Sequence, residues 1–209
     1  VKELANKVYG QLSIASSLTV GESILPKLLS EFKSKYPLVS LSAEIINSDQ
    51  IMQKIRDEVL EIGLIEAHLT DEQLAVEACM EDELVLVAKS GYFDDEKKSI
   101  TLSELAKLPI VVREKGSGTR TVMNEHLASK GIDPDTLNIS LELGSTESVK
   151  TAVEVGLGVS ILSKSIIRKE LELGLFLTYP IDELKMDRNF YIVYKKGKVL
   201  STVSEKFLT

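Results

Sequence analysis

Apolar residues recur every three or four positions at Ile24, Leu25, Leu28, Leu29 and Phe32, which predicts a helix over about 22–35. Tyr36-Pro37 closes it, because the residue before a proline is pushed out of helical geometry. Short apolar runs lie to either side. Residues 11–15, 39–46, 74–79 and 83–88 read as strands, and 61–65 as a strand of the buried, parallel kind. A short helix through Arg56 takes its cap from Ser48 or Asp49. A second unit begins near Lys89, with a short helix at 102–107 and strands at 108–112 and 137–143. A helix over about 147–155 and a strand at 159–162 follow. Ser163 is expected to cap the next helix, to Leu173. Strands at 175–178 and 190–194 and a last helix from Ser201 complete the pattern. Residues 1–9 read as a helix end, stopped by Gly10.

One arrangement occurs three times, beginning at Leu12, Leu108 and Leu141: an apolar strand, a turn rich in Ser or Thr, and a helix. Alternating strands and helices predict an α/β fold with mostly parallel sheets. Ligands of such folds sit beyond the strand carboxyl ends, at helix starts. The richest turn is Arg113-Glu114-Lys115-Gly116-Ser117-Gly118-Thr119-Arg120, with two glycines, two hydroxyls and three cationic side chains. Unpaired N–H groups and about half a positive charge at a helix start make such a turn fit for a small anion. Three such starts are expected to converge on one cleft.

Composition narrows the partners. The chain has 209 residues and a net charge of −7, whereas a domain that grips the DNA backbone is basic. No apolar run reaches the roughly 18 residues of a membrane span. No signal peptide opens the chain, and the first residue is valine, as expected of a fragment or a processed form. Cys79 is the single cysteine; it is expected to be a buried small hydrophobe, and it fits a reducing, cytoplasmic setting. His68 and His126 lie far apart, no Cys/His cluster has metal spacing, and no nucleophile elbow is present. The expectation is no enzyme and no cofactor.

The residues also carry a resemblance. Gly10-Gln11-Leu12-Ser13-Ile14-Ala15-Ser16-Ser17, Tyr36-Pro37-Leu38-Val39, the segment Val59 to Ile65, the turn above, Leu143 to Lys150, and Val153 to Leu162 together resemble the effector-binding domain of LysR-type transcriptional regulators. The branch is that of regulators of sulfur assimilation and carbon fixation. The resemblance implies two Rossmann-like lobes joined by two crossover strands, of the periplasmic-binding-protein type II kind. Lobe I would hold 10–88 plus 191–209 and lobe II 89–190, with 1–9 the end of a linker helix. A small anionic metabolite would bind between the lobes, and DNA would be bound only through an N-terminal winged helix-turn-helix absent from this chain. A homodimer or tetramer is implied, with helix 22–35 against helix 147–155 of a second copy and apolar residues exposed on both; no membrane is involved. A solute-binding protein for a small anion is the alternative with the same fold.

The candidate ligand residues are Ser16, Ser17, Thr19, Glu66, Arg113, Ser117, Gly118, Thr119, Arg120, Ser145 and Thr146. Each has a plainer reading. Ser and Thr cap helices, glycine permits turns, and arginines can be solvated surface charges. Of Ser145 and Thr146, Thr146 is the preferred contact. Glu66 stands where the resemblance implies a small hydroxyl; it would repel an anion, select an amino group, or swing out to solvent. Sulfate, thiosulfate, O-acetylserine, a sugar phosphate and a nucleotide all stay open as effectors.

Overall fold

A computed structural model describes residues 8–209. The helix expected at 1–9 falls almost wholly outside the described residues. The chain divides into two compact units, one running to Cys79 and resuming at Phe190–Thr209, the other Met80–Asn189. The division falls within a strand, where the sequence places it at 88/89.

In the first unit, strand β1 (Gly10–Ser16) leads to helices α1 (Leu18–Ser23) and α2 (Leu25–Lys35), then β2 (Val39–Ile45), α3 (Ser48–Arg56) and β3 (Ile62–Ile65). β4 (Leu74–Lys89) carries the chain into the second unit, and β9 (Met186–Lys195) brings it back to the closing helix α8 (Thr202–Leu208). β1 pairs in parallel with β2 and β3, and β3 pairs antiparallel with β9. Ile14, Val20, Leu25, Ile62, Leu64 and Phe190 fill one side of this sheet. Ala15, Ile51, Ile55, Ile65, Leu74 and Val193 fill the other. Gly63 lets α3 lie this close: a Cβ there would stand 2.3 Å from Ile51 Cγ2.

The second unit continues with α4 (Leu102–Leu105), β5 (Ile110–Arg113), α5 (Gly118–Ser129), β6 (Ile139–Leu143), α6 (Thr146–Glu154), β7 (Ser160–Ser163), α7 (Arg168–Glu172) and β8 (Phe176–Tyr179). β5 and β6 are parallel, while β4 pairs antiparallel with β7 and β8. Val87, Val111, Val149, Val153, Leu162 and Phe176 form its core. The sheets are therefore mixed rather than mostly parallel.

Several local expectations give way. The helix expected from Glu22 is two helices, broken at Ile24, with Pro26 in the first turn of the second, where its missing N–H costs nothing. α3 is capped by Asn47, whose side chain accepts from Gln50 N while Gln50 returns a bond to Asn47 N; Ser48 is already helical. The two strands expected at 74–79 and 83–88 are one, because neither acidic residue between them interrupts it: Glu81 lies exposed, and the Asp82 side chain is buried against Arg188. Cys79 is exposed on that strand, not buried, with its Sγ 3.3 Å from the carbonyl oxygen of Phe190. Burial of the sulfur itself pushes the thiol pKa up. Ser163 ends β7 and donates to Asp82 instead of capping a helix. The exposed face of α2 is polar, and the exposed apolar residues in the other helix's neighbourhood are Val155 and Leu157, just beyond α6.

Candidate anion-binding site

The site residues of the second unit gather where β5 and β6 end. Their parallel register sets Arg113 beside Leu143, so the turns into α5 and α6 leave the sheet side by side. Gly116 allows the first turn, with φ of +88°, a left-handed conformation that favours glycine. Arg113 is 3% exposed and Arg120 8%, so neither is a solvated surface charge. Arg113 Nη1 donates to Thr146 Oγ1 at 2.8 Å, and its other nitrogens grip Glu114 at 2.8 and 3.0 Å. Arg120 Nη1 donates to the carbonyl oxygen of Arg113 at 2.9 Å and pairs with Glu142. Two guanidinium groups thus lash the start of α5 to the end of β5 and to the start of α6. Lys115 is exposed in the turn.

Ser145 caps α6, accepting from Ser148 N at 3.2 Å, and Thr146 is buried. Ser117 holds the corresponding cap position of α5 but makes no cap bond. Its Oγ is fully buried and has no hydrogen-bond partner among the described residues. A buried hydroxyl left without a partner costs about 1–3 kcal/mol. Gly118 opens the helix, and Thr121 N is the amide that returns to Ser117 O, at 3.0 Å. The N–H groups ahead of it lie outside the helix's own ladder. Thr146 Oγ1 accepts from Arg113, which fixes the oxygen and leaves the hydroxyl proton to donate. The corner therefore offers hydroxyls and amides, with buried positive charge behind them.

The first unit holds Ser16, Ser17, Thr19 and Glu66 together. Ser17 N is bonded to Leu64 O at 2.8 Å, and Ser16 Oγ is spent on the carbonyl of Ser17 at 3.2 Å. Ser17, at the cap of α1, repeats the Ser117 pattern: no cap bond, and an Oγ that is buried and unpartnered among the described residues. Glu66 does not swing out to solvent. It is 1% exposed, and its Oε1 accepts from Thr19 N at 2.7 Å. The start of α1 is thus occupied by the chain's own carboxylate. The two groups of residues belong to separate units.

Sequence reading missed Arg188. Its Nε donates to Asp82 at 2.7 Å and its Nη1 to Thr119 Oγ1 at 3.2 Å. A signal existed: Met186, Arg188 and Phe190 are buried at alternate positions of β9, so the arginine sits in an inward register. Among the described residues no group of three or more His, Cys, Asp or Glu is placed to hold a metal ion, and no helix is long and apolar enough to cross a membrane.

Residues 5–209 match the LysR substrate binding domain, and the chain belongs to that family. It is 39% identical over 164 residues to the HTH-type transcriptional regulator CysL of Bacillus subtilis (strain 168), covering 78% of this chain and 54% of CysL. It is 30% identical over 208 residues to the HTH-type transcriptional activator CmpR of Synechocystis, covering 100% of this chain and 67% of CmpR. The chain thus spans about half the length of CysL and two thirds that of CmpR. Among solved structures, the regulatory domain of CcmR from Synechocystis PCC6803 in complex with 2-PG superposes with a TM-score of 0.85 at 29% identity, covering 95% of this chain and 94% of that one.

Proposed function

We propose that this chain is the effector-sensing part of a transcription regulator, and that a small anionic metabolite binds where β5 and β6 run into α5 and α6. Ser117 carries the reading. A serine at a helix cap normally stabilises the helix by bonding its amides, yet here the hydroxyl is buried without a partner beside Thr119, Thr146 and a helix start. The relatives named as transcription regulators, and the complex of CcmR with 2-PG, support the same class of protein and of ligand.

The site is read as one for binding, not for catalysis. Its polar groups are hydroxyls, amides and guanidiniums already engaged with carboxylates, so none is an acid–base pair of the kind catalysis requires. Binding changes transcription only through a difference in affinity between two states of the protein, about 1–3 kcal/mol of coupling. DNA is bound by a domain outside this chain, in the cytoplasm, and the regulator works as a homodimer or tetramer. The test is a melting-temperature screen with sulfate, thiosulfate, phosphate, O-acetylserine and 2-PG. At least one of them raises the melting temperature of the wild-type chain, and Thr119→Val abolishes the rise. A Thr119→Val variant that responds like wild type to every stabilising anion places the ligand elsewhere.

A further inference from the structure

Asp82 on β4 and Arg188 on β9 form an ion pair whose side chains are 4% and 2% exposed. β4 and β9 are the strands by which the chain enters and leaves the second unit. Asp82 is held from its other side by Ser163 Oγ, which donates to Oδ1 at 2.8 Å, while Arg188 Nε donates to Oδ2 at 2.7 Å. The guanidinium then reaches α5 and donates from Nη1 to Thr119 Oγ1 at 3.2 Å. Ser163, Asp82, Arg188 and Thr119 make one continuous buried polar chain.

Such a pair is a poor device for stability alone. Removing two charges from water offsets most of their attraction, and packed apolar residues of similar volume do as well. An apolar pair has no directed donor to set on a hydroxyl. A threonine hydroxyl rotates to suit its neighbours, and a guanidinium bond to its oxygen fixes where the oxygen and proton point. The planar fork of arginine does this while keeping its other face on the carboxylate.

We infer that Arg188 is a positioning residue for Thr119, oriented by Asp82, and that the pair ties the strands leaving the unit to the first turn of α5. The inference rests on Thr119 being a ligand contact only for its consequence in binding, not for the positioning itself. An anion at the start of α5 then bears on β4 and β9 through a single guanidinium.

The experiment is methyl NMR of the whole chain with labelled threonine methyl groups, first without added anion and then with sodium sulfate. Arg188→Met alone leaves a buried carboxylate unpaired and is liable to unfold. The variants are therefore Arg188→Lys, which keeps the charge without the fork, and the double change Asp82→Leu with Arg188→Met, which removes both charges. In wild type the Thr119 methyl reports one rotamer. In both variants it becomes rotamer-averaged, while the Thr146 methyl, governed by Arg113, does not move. Sulfate affinity falls about tenfold or more in the double variant. A Thr119 methyl that keeps its single rotamer in either folded variant overturns the positioning role. If the rotamer is freed but sulfate binds equally well to wild type, to the double variant and to Thr119→Val, the positioning role stands and the assignment of Thr119 as an anion contact fails.

Discussion

Two helix starts in this protein grow from the same local sequence, a buried strand followed by a serine turn, and end with different groups on their first turns. At α1 the serine at the cap is Ser17, and the helix amide of Thr19 is bonded by Glu66 from the end of β3. At α5 the serine at the cap is Ser117, and the charges packed around the first turn are the guanidiniums of Arg113, Arg120 and Arg188. One start has a carboxylate bonded directly to its amide; at the other, guanidiniums that each have their own carboxylate partner bond the hydroxyl and carbonyl oxygens of the turn. A strand–turn–helix pattern therefore fixes where a binding corner lies, and the groups bonded to it come from residues remote in sequence. Glu66 is 47 residues from Thr19, and Arg188 is 69 from Thr119.

The largest effect expected from this contrast is on stability. Glu66→Ala strips the α1 start of its acceptor and leaves a buried N–H to satisfy, at a cost of about 1–3 kcal/mol, read as a lower urea midpoint at unchanged slope. The next compares two serines. Ser145→Ala removes a working cap and costs about 1 kcal/mol of stability. Ser117→Ala removes an unpartnered hydroxyl, so stability holds or rises, while affinity for the stabilising oxyanion falls about tenfold, or about 1.4 kcal/mol. Loss of stability in Ser117→Ala would make it an ordinary cap.

A smaller effect concerns pH. The first unit also seats a carboxylate at its other terminal helix: Glu61 accepts from Ser201 N and from the hydroxyls of Ser201 and Ser204 at the start of α8. Burial raises the pKa of Glu61, and the Ser204 and Ser201 hydrogen bonds outweigh it, so the net shift is downward from 4.5. A carboxylate depressed in the folded state contributes stability fully above its unfolded pKa, and that part is lost as pH falls through the folded value. Melting temperature should fall as pH drops below 4.5, and Glu61→Gln should flatten that part of the curve. An unchanged slope in the variant would remove Glu61 from the account.

The smallest effect is that of salt. Arg113 faces Glu114, Arg120 faces Glu142 and Arg188 faces Asp82, so each guanidinium near α5 already has a counter-charge. A ligand held mainly by hydroxyls and amides should lose no more than about threefold in affinity between 0.05 and 0.5 M salt, a range over which exposed charges are strongly screened. A tenfold loss would mean that a guanidinium leaves its carboxylate for the ligand.

Much of this was legible in the sequence where physics is local. Apolar runs, the serine turns and the glycine at 116 depend on near neighbours, and they placed β1, β5, β6 and the helices after β5 and β6; after β1 they placed α2 but not α1. Caps were less legible, because competing polar residues stand side by side: Asn47 won over Ser48 by having Gln50 three residues on to complete a reciprocal pair. Ser163 was misread because its acceptor, Asp82, lies 81 residues away. The break placed between 79 and 83 followed the charge of Glu81 and Asp82, which a strand carries without ending: Glu81 is exposed, and the Asp82 side chain is buried in its pair with Arg188. Glu66 was legible as a departure but not as a bond, since its amide partner is set by sheet order alone.

The central claim is that the start of α5, with Ser117 at its cap and Thr146 alongside, holds a small oxyanion. Amide NMR of the isotopically labelled chain, titrated with the anion that most raises the melting temperature, tests it most directly. Saturable shifts should concentrate at residues 117–120 and 146–148, and Ser117→Ala should weaken them about tenfold. Saturable shifts confined to other parts of the chain, with residues 117–120 unmoved, would contradict it.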